Sequence, residues 1–466
     1  MNLRPLPLIP RIPRIPRIPR VNSWAGVFFI LNICLPNIYA QKSSVLEAYI
    51  QTGLSASLAL QQQDFDLQKA QESIRQAKAL FNPTLKFEAN YTLASGGRSI
   101  NFPIGDLLDP LYLKDFGILS PARNQKIQFL PNNFQETKVS FAYPIYNSDL
   151  KYNRQIQTQL YESKAAQKAS CEHELRYQIT DAYLQYLKAL EAEKIWVNAK
   201  TVLTELRRFN ESLVKNNVAT RDVVATADYE LSKADNEIYK LHSAQNTARA
   251  YFNFLINKDL QSDVVADTAL LRSTAMAYQP DQLIQQALSN RQEFAALRAG
   301  QQAAETDVQR NAANSKLPDF YLGGSLGFQG FGYKFNKEQA YALAQVGLTY
   351  DLFDSGQRKI KTQMARIESE KIRTQTTQTQ QQIALQVTQA WNDFDAARNT
   401  FSTAQAGLRA AEETFRIVNN KYRASQVLLL EFLDAQNRVT TARLQQLLAW
   451  SDVLVKEAAL RKAAGL

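Results

Sequence analysis

The sequence predicts a mainly α fold with a β portion, built as a duplicated helix–strand–strand–helix unit. Three observations lead there. Turn-making residues are missing over long stretches: no proline lies between Pro144 and Pro280, and no glycine between Gly117 and Gly300. From Gly356 to Gly465 only Gly407 interrupts, with no proline at all. Sandwiches, doubly wound α/β folds and barrel enzymes need a turn every ten to fifteen residues or so, and are excluded. Apolar residues recur with helical period in those stretches and alternate strictly in four short ones. The order of the two periods then repeats along the chain.

Residues 1–40 read as an export signal. They carry five arginines, no acid and seven of the 15 prolines. A run of about a dozen mostly apolar residues, Trp24 to Leu35, precedes Ile38-Tyr39-Ala40. A basic start, a short apolar run and a small residue fit cleavage after Ala40. The run is short of the roughly 20 residues of a spanning helix, and an uncleaved anchor is the alternative. Ile33 before Cys34 spoils a lipoprotein box, which wants a small residue there. The tract from Ile9 to Arg20 reads Ile-Pro-Arg four times, either a basic interaction arm or an over-long leader from a misplaced start.

Export changes the charge reading. The whole chain has net charge +10; without the five leader arginines it holds 49 basic against 44 acidic residues. The excess is small and scattered, so nucleic-acid binding loses its support. The mature chain keeps one cysteine, Cys171, which excludes an intramolecular disulfide. Cys171 and the two histidines, His173 and His242, offer little for a metal cluster or nucleophile pair, and no cofactor or metal is expected. Catalysis is not expected either: neither histidine has a paired motif, and there is no Gly-rich loop.

The first repeat is read over 41–256: helix 43–80, stopped by Asn82-Pro83, strands 84–95 and 137–146, then helices over 149–256. A connecting segment covers 257–280. The second repeat covers 281–463: helix 281–315, stopped before Pro318, strands 319–329 and 342–353, then helices over 356–463. The copies align residue by residue. Pro83 matches Pro318, and Tyr143-Pro144-Ile145-Tyr146-Asn147-Ser148 matches Tyr350-Asp351-Leu352-Phe353-Asp354-Ser355. Gln178-Ile179-Thr180-Asp181-Ala182-Tyr183 matches Gln386-Val387-Thr388-Gln389-Ala390-Trp391. Each long helical part has one weak point, Asn216 to Thr220 and Arg423 to Val427, read as a tip where a helix turns back.

The four strands are each about 10–12 residues, the length of a tilted membrane strand. Leu85, Phe87, Ala89, Tyr91 and Leu93 share one face of the first; Lys86, Glu88, Asn90 and Thr92 share the other. Val139, Phe141, Tyr143 and Ile145 alternate in the second, Phe320, Leu322, Leu326 and Phe328 in the third, Ala344, Val346, Leu348, Tyr350 and Leu352 in the fourth. Lipid outside and water inside explains such alternation in an exported chain; a half-buried soluble sheet shows the same period. Four strands cannot close a membrane barrel, whose smallest forms have about eight, so spanning strands require several chains. The expected lipid-facing residues are Leu85, Phe87, Tyr91, Val139, Phe141, Tyr143, Phe320, Leu322, Val346, Leu348 and Tyr350.

The helices carry a heptad seam. Ile383, Val387, Ala390, Phe394, Ala397, Phe401, Ala404, Leu408, Ala411, Phe415 and Val418 are spaced 4-3-4-3 over five heptads. Large knobs facing small holes let neighbouring helices interdigitate. In the first repeat Leu175-Ile179-Ala182-Tyr186-Ala189 keeps the spacing until Glu193 breaks it. At about 1.5 Å per residue, 60 helical residues span roughly 90 Å, a tube or stalk rather than a globular core. The polar run Thr374 to Gln382 suits a hydrated lining or a solvated outer face.

At this point the chain resembles the TolC family of outer-membrane efflux proteins over essentially all of 43–463. The resemblance rests on the duplicated element order, on Asn82-Pro83-Thr84-Leu85 and Lys316-Leu317-Pro318-Asp319 entering the strands, and on the exits Tyr146-Asn147-Ser148 and Phe353-Asp354-Ser355-Gly356. The tip segments Val218-Ala219-Thr220-Arg221-Asp222-Val223 and Leu433-Asp434-Ala435-Gln436 add to it. It implies a homotrimer with a 12-stranded transmembrane β-barrel, four strands per chain, and a periplasmic α-barrel of coiled-coil-like helices. It implies a place in the outer membrane of a Gram-negative cell, contact with outer-membrane lipid, and docking to a periplasmic adaptor and an inner-membrane pump. The expected adaptor contacts are the tips, Val218, Ala219, Thr220, Ala424, Ser425 and Gln426. The second tip departs from the family pattern: Ala424-Ser425-Gln426 stands where a glycine usually precedes a threonine.

The expected function is a passive, porin-like exit duct for efflux or type I secretion. Energy would come from the pump, since no Gly-x-x-x-x-Gly-Lys phosphate loop is present. Three-fold symmetry would bring Glu412, Glu413, Arg416, Arg221 and Asp222 near the narrow periplasmic end, as an aperture of charge rings or as ordinary interhelical charges. The 41-residue loop over 96–136, with four prolines, is read as an outer plug or lid, or a plain surface loop. The rival reading is an exported periplasmic coiled-coil structural or adaptor protein with a small β domain.

Overall fold

The computed structural model describes residues 44–272 and 278–466. The expected export signal, the Ile-Pro-Arg tract and Cys34 lie outside the described residues. The first repeat runs α1 (Ser44–Ala56), α2 (Leu58–Ala79), β1 (Thr84–Thr92), β2 (Ser99–Phe102), α3 (Ile104–Phe116), β3 (Gln125–Gln128), β4 (Phe134–Tyr146), α4 (Ser148–Lys215) and α5 (Asp222–Leu255). The second runs α6 (Pro280–Asn290), α7 (Gln292–Asn314), β5 (Asp319–Phe331), β6 (Ala340–Thr349), α8 (Gln357–Arg423) and α9 (Leu429–Ala464). Among the described residues no helix is long and apolar enough to cross a membrane.

Three differences from the sequence reading have local causes. The helices expected over 43–80 and 281–315 are each divided. Ser57 is extended (φ −65°, ψ 122°) and its hydroxyl oxygen accepts from the Leu60 amide at 3.3 Å, capping α2. Arg291 is extended (φ −66°, ψ 128°) between α6 and α7. Neither break holds a proline or glycine. Second, the segment over 96–136 folds partly: β2 pairs antiparallel with β3, and α3 lies between them with Pro110 inside it. Third, β6 stops at Thr349, which leaves Tyr350 and Leu352 beyond the strand. Ser355 (φ 55°) and Gly356 (φ 80°) turn the chain there, and the Asp354 carboxylate accepts from the Gly356 (3.0 Å) and Arg358 (2.8 Å) amides.

Four of the strands form one antiparallel sheet in the order β1-β4-β5-β6, in which β1 and β6 keep free edges, and β2 and β3 form a second, two-stranded sheet. A bulge between Pro144 and Tyr146 shifts the β4–β5 register, where proline has no amide hydrogen to give.

Helices α4 and α8, of 68 and 67 residues, are each about 100 Å long at 1.5 Å per residue. The seam of α8 is turned inward throughout: Ile383, Val387, Phe394 and Ala397 are buried and its other members half-buried. In α4 the seam Leu175, Ile179, Ala182, Tyr186, Ala189 is buried too, but Glu193 does not break it. The seam steps to Ala192 and goes on through Trp196, Ala199, Leu203, Leu206 and Asn210. The extra three-residue step is a stammer, which locally overwinds a coiled coil and moves Glu193 off the seam.

Three clusters of buried side chains hold the helices. One joins α1, α4, α5 and the segment after it, around Ile179, Tyr183, Leu187, Phe252 and Ile256. There the Tyr183 hydroxyl donates to the Val265 carbonyl (2.9 Å) and accepts from the Asp267 amide (2.8 Å). Gly53 lets α1 approach: a Cβ there would overlap Ile179 and stand 3.1 Å from Ile256 Cγ2. The second joins α6 to α9 around Ile383, Val387, Phe394, Val453 and Leu460. The third lies by the tips, around Leu203, Leu206, Tyr422, Phe432 and Leu433.

Candidate functional site: the strand faces and the helix tips

Strand register sorts the sheet into two chemical faces. Leu85 lies opposite Phe141, and Phe141 opposite Gly324; Phe87 lies opposite Val139, and Val139 opposite Leu326. Tyr143 lies opposite Leu322, Leu322 opposite Val346, and Phe320 opposite Leu348. Directly opposed residues share a face, so ten of the eleven predicted lipid-facing residues, Tyr91 included, lie on one apolar side. Tyr350 does not: its hydroxyl reaches back to the Ser315 carbonyl at 3.5 Å, beneath the Arg358 guanidinium 5.5 Å from its ring. The apolar face is bare, with Leu85 75%, Phe87 71% and Val346 73% exposed.

The other face carries Lys86, Glu88, Asn90, Glu136, Lys138, Ser140, Ser325, Gln329 and Gln345. Lys138 Nζ stands 2.9 Å from Glu136 Oε1 and 3.5 Å from Glu88 Oε2.

Two polar residues on the apolar face, Gln135 and Thr137, are joined to each other, the Thr137 hydroxyl donating to Gln135 Oε1 at 3.1 Å. Gln135 is fully buried because the β5–β6 loop folds over it. Its amide nitrogen donates to the Lys334 carbonyl (2.9 Å) and to Gln339 Oε1 (3.1 Å). The same loop sets Tyr333 against Tyr91 (5.8 Å between centroids) and Phe335 against Tyr333 (5.1 Å) and Phe328 (5.3 Å). An aromatic row therefore closes the loop end of the apolar face, and Tyr143, Tyr146 and Phe320 stand at the helix end. Eight residues of tilted strand separate the rows, about 20 Å in height, close to the roughly 25 Å apolar band of an outer-membrane barrel. The alternation was visible in the sequence; the fold-back of 332–339 was not.

At the helix end, Asn147 caps α4, its Oδ1 accepting from the Leu150 amide at 2.9 Å. A cavity of about 710 Å³ lies at this junction, lined by Asp149, Arg310, Asp319, Asp351, Arg358 and Lys361 among others. Its charges pair with each other: Arg358 with Asp351 at 2.5 Å, Arg310 with Asp307 at 2.6 Å.

Both tips use one device. After α4, Asn217 (φ 59°) is left-handed, the Val218 amide reaches the Leu213 carbonyl (2.9 Å) and the Asn217 amide the Val214 carbonyl (3.0 Å). After α8, Ser425 (φ 58°) does the same, with Gln426 to Lys421 and Ser425 to Tyr422, both 2.9 Å. This crossed pair satisfies the last free carbonyls of each helix. Ser425 thus stands in a left-handed position where glycine is cheapest, which is where the second tip departs from the family pattern. Val218, Thr220, Ala424, Ser425 and Gln426 are exposed and Ala219 is half-buried.

The five charges predicted for an aperture do not converge within one chain. Glu412 Oε1 accepts from Arg443 (2.9 Å), and Glu413 from Arg416 (2.6 Å). The Arg416 guanidinium holds the Glu413 carboxyl below its usual range. Arg221 and Asp222 stand at the first tip, where the Thr220 hydroxyl donates to the Asp222 carboxylate. Glu412 lies twelve residues before Ala424, about 18 Å back along the helix.

What the sequence reading missed is a buried polar link across the tips. The Tyr422 hydroxyl donates to Asn210 Oδ1 (2.8 Å), and Asn210 Nδ2 donates to the Val223 carbonyl (3.1 Å). The two contacts tie α8, α4 and α5 together. Asn210 is fully buried, and burial raises the Tyr422 phenol above its ordinary pKa. The available signal was Asn210 at a seam position, where a polar residue fixes register. Glu193 and His242, which no pattern linked, approach within 3.6 Å between α4 and α5. Among the described residues no group of His, Cys, Asp and Glu is arranged to hold a metal.

Comparison with known proteins follows this geometry. Residues 283–466, the second repeat, match the family model of outer membrane efflux proteins. No curated protein matches the chain in sequence. Solved structures match its fold. A membrane protein from Pseudomonas aeruginosa, 17% identical, superposes with a TM-score of 0.73 over 98% of this chain and 99% of its own. The Neisseria gonorrhoeae MtrE outer membrane channel in its open state, 16% identical, gives 0.71 over 90% and 89%. The Campylobacter jejuni CmeC outer membrane channel, 12% identical, gives 0.70 over 91% and 86%.

Proposed function

We propose that this chain is an outer membrane efflux protein and that three copies of it form the passive exit duct of a tripartite efflux or secretion system. The observation that carries the reading is the sheet: four strands with a bare apolar face, a polar face and two free edges, continuous with helices about 100 Å long. An isolated four-stranded sheet of this kind exposes apolar surface and unpaired edges that a soluble protein covers. Pairing β1 of one copy with β6 of the next removes both liabilities at once. Three copies give twelve strands, which encloses an aqueous bore.

In this duct the apolar strand residues meet lipid and the aromatic rows mark its two interfaces. Lys86, Glu88, Glu136 and Lys138 face the bore. The helices continue the path into the periplasm, where the exposed tip residues offer the adaptor its contact. The chain has no phosphate-binding loop, so the partner pump supplies the energy and selects the cargo. Of the aperture candidates, Arg221 and Asp222 sit nearest the periplasmic opening. Glu412, Glu413 and Arg416 lie in paired rows farther in.

Two measurements test the reading together. Detergent-extracted protein should have the mass of three chains and should open steady single channels in planar bilayers. Release from membranes by alkali without detergent, as a monomer, would refute it and favour the periplasmic rival. Within the duct, reversing charge at Arg221 and Asp222 should change single-channel conductance more than reversing Glu412.

A further inference from the structure

Among the described residues, the segment between β1 and β4 stands outside the duct's working parts. It folds as a lobe: β2 pairs with β3, the Asp106 amide donates to Asn124 Oδ1 at 3.2 Å, and the Ser120 amide donates to Asp109 Oδ1 at 2.8 Å. Its surface is unusually apolar. Eleven large apolar side chains between Ile100 and Leu130 are exposed, among them Leu107 at 74%, Leu111 at 57% and Phe116 at 70%. At typical side-chain areas their exposed parts sum to roughly 1,000 Å², spread over both sides of α3. That sum is of the order one partner contributes to a stable protein interface, roughly 800 Å².

Position decides what covers it. The lobe rises past the aromatic row at Tyr91 and Tyr333, on the water side of the lipid-facing band. It springs from β1, the free edge that meets the next copy. Its charges are nearly balanced, Arg98, Lys114, Arg123 and Lys126 against Asp106, Asp109 and Asp115, and do not form a basic patch for lipid phosphate.

We propose that the three lobes pack on one another through α3 and form an apolar collar at the outer mouth of the barrel, with a second copy of this chain as each lobe's partner. The proposal rests on the trimeric reading. The collar narrows the exit and adds contacts between copies at the end opposite the adaptor.

The test uses the full chain with Cys171→Ser and one pair of new cysteines on opposite sides of α3, L107C with F116C or L111C with F116C, in native membranes, because neighbours in a three-fold ring meet through different residues. Mild oxidation should link the chains of at least one of the two pairs into covalent dimers and trimers. The mass of the detergent-extracted particle is read in parallel. A trimer in which neither pair links chains overturns the collar and leaves the duct intact; a monomeric mass overturns the trimer itself. Labelling of these cysteines by a membrane-confined reagent, without linkage, would place the lobe in lipid and also overturn the collar.

Discussion

Removing one oxygen atom from Tyr422 should loosen the periplasmic tip without disturbing the rest of the helix. In Tyr422→Phe the ring keeps its contacts with Phe209 (5.8 Å between centroids) and Phe432 (5.1 Å). What is lost is the 2.8 Å hydrogen bond to Asn210, whose side chain has no access to water. Stranding a buried acceptor costs about 1–3 kcal/mol. Because about 1.4 kcal/mol is a factor of ten, amides protected by closure of the tip should exchange roughly 5- to 150-fold faster. Hydrogen–deuterium exchange over residues 206–230 reads this directly, with residues 375–385 as an internal control. Asn210→Leu should do the same, because it strands the Tyr422 hydroxyl. The double variant removes both partners and should cost less than the two singles added, the mark of a direct coupling. Exchange within twofold of the wild type in Tyr422→Phe would refute the link between the helices.

Three further outcomes follow from the same structure. Ser425→Gly should slow exchange at the second tip slightly: relieving a left-handed residue gains about 1–2 kcal/mol, against about 0.5–1 for the freer unfolded chain. Faster exchange there would contradict the shared turn. Gly53→Val should lower the melting temperature of the extracted protein, since its side chain collides with Ile179 and Ile256 in a packed core, a cost of about 1–3 kcal/mol; an unchanged melting temperature would show that α1 does not press on α4. Burial pushes the Tyr183 and Tyr278 phenols up to about 12 from 10.0. The fold keeps both protons where the unfolded chain has lost them, so this contribution is whole below pH 10 and is lost as pH rises from 10 to 12. Replacing both by Phe should flatten the decline of melting temperature across that window, and an equal slope would count against these burials.

Local patterns carried much of the architecture. The strand faces followed from alternation, because a period of two leaves each side chain one choice of side once a neighbour is fixed. The α8 seam followed from its 4-3-4-3 spacing, since a helix has to present those positions together. The tips were marked by weak helix formers, and the structure puts left-handed residues in both. Other features were weakly marked. Ser57 and Arg291 divide helices without a proline or glycine, and the one local mark is the Ser57 hydroxyl that caps α2. The seam of α4 looked broken at Glu193 because a strict heptad was assumed, whereas the helix changes phase by one turn-length step to Ala192.

The sequence by itself marked the long helices and the four alternating strands, since each depends on side chains a few positions apart. Only the tertiary structure decided that Asn210 meets Tyr422, that loop 332–339 closes over Gln135, and that Glu412 belongs to Arg443. Those contacts join residues from 31 to 212 positions apart, and no period of two or seven reaches that far. They depend on the angle and depth at which whole helices and strands pack, which the sum of many weak contacts sets.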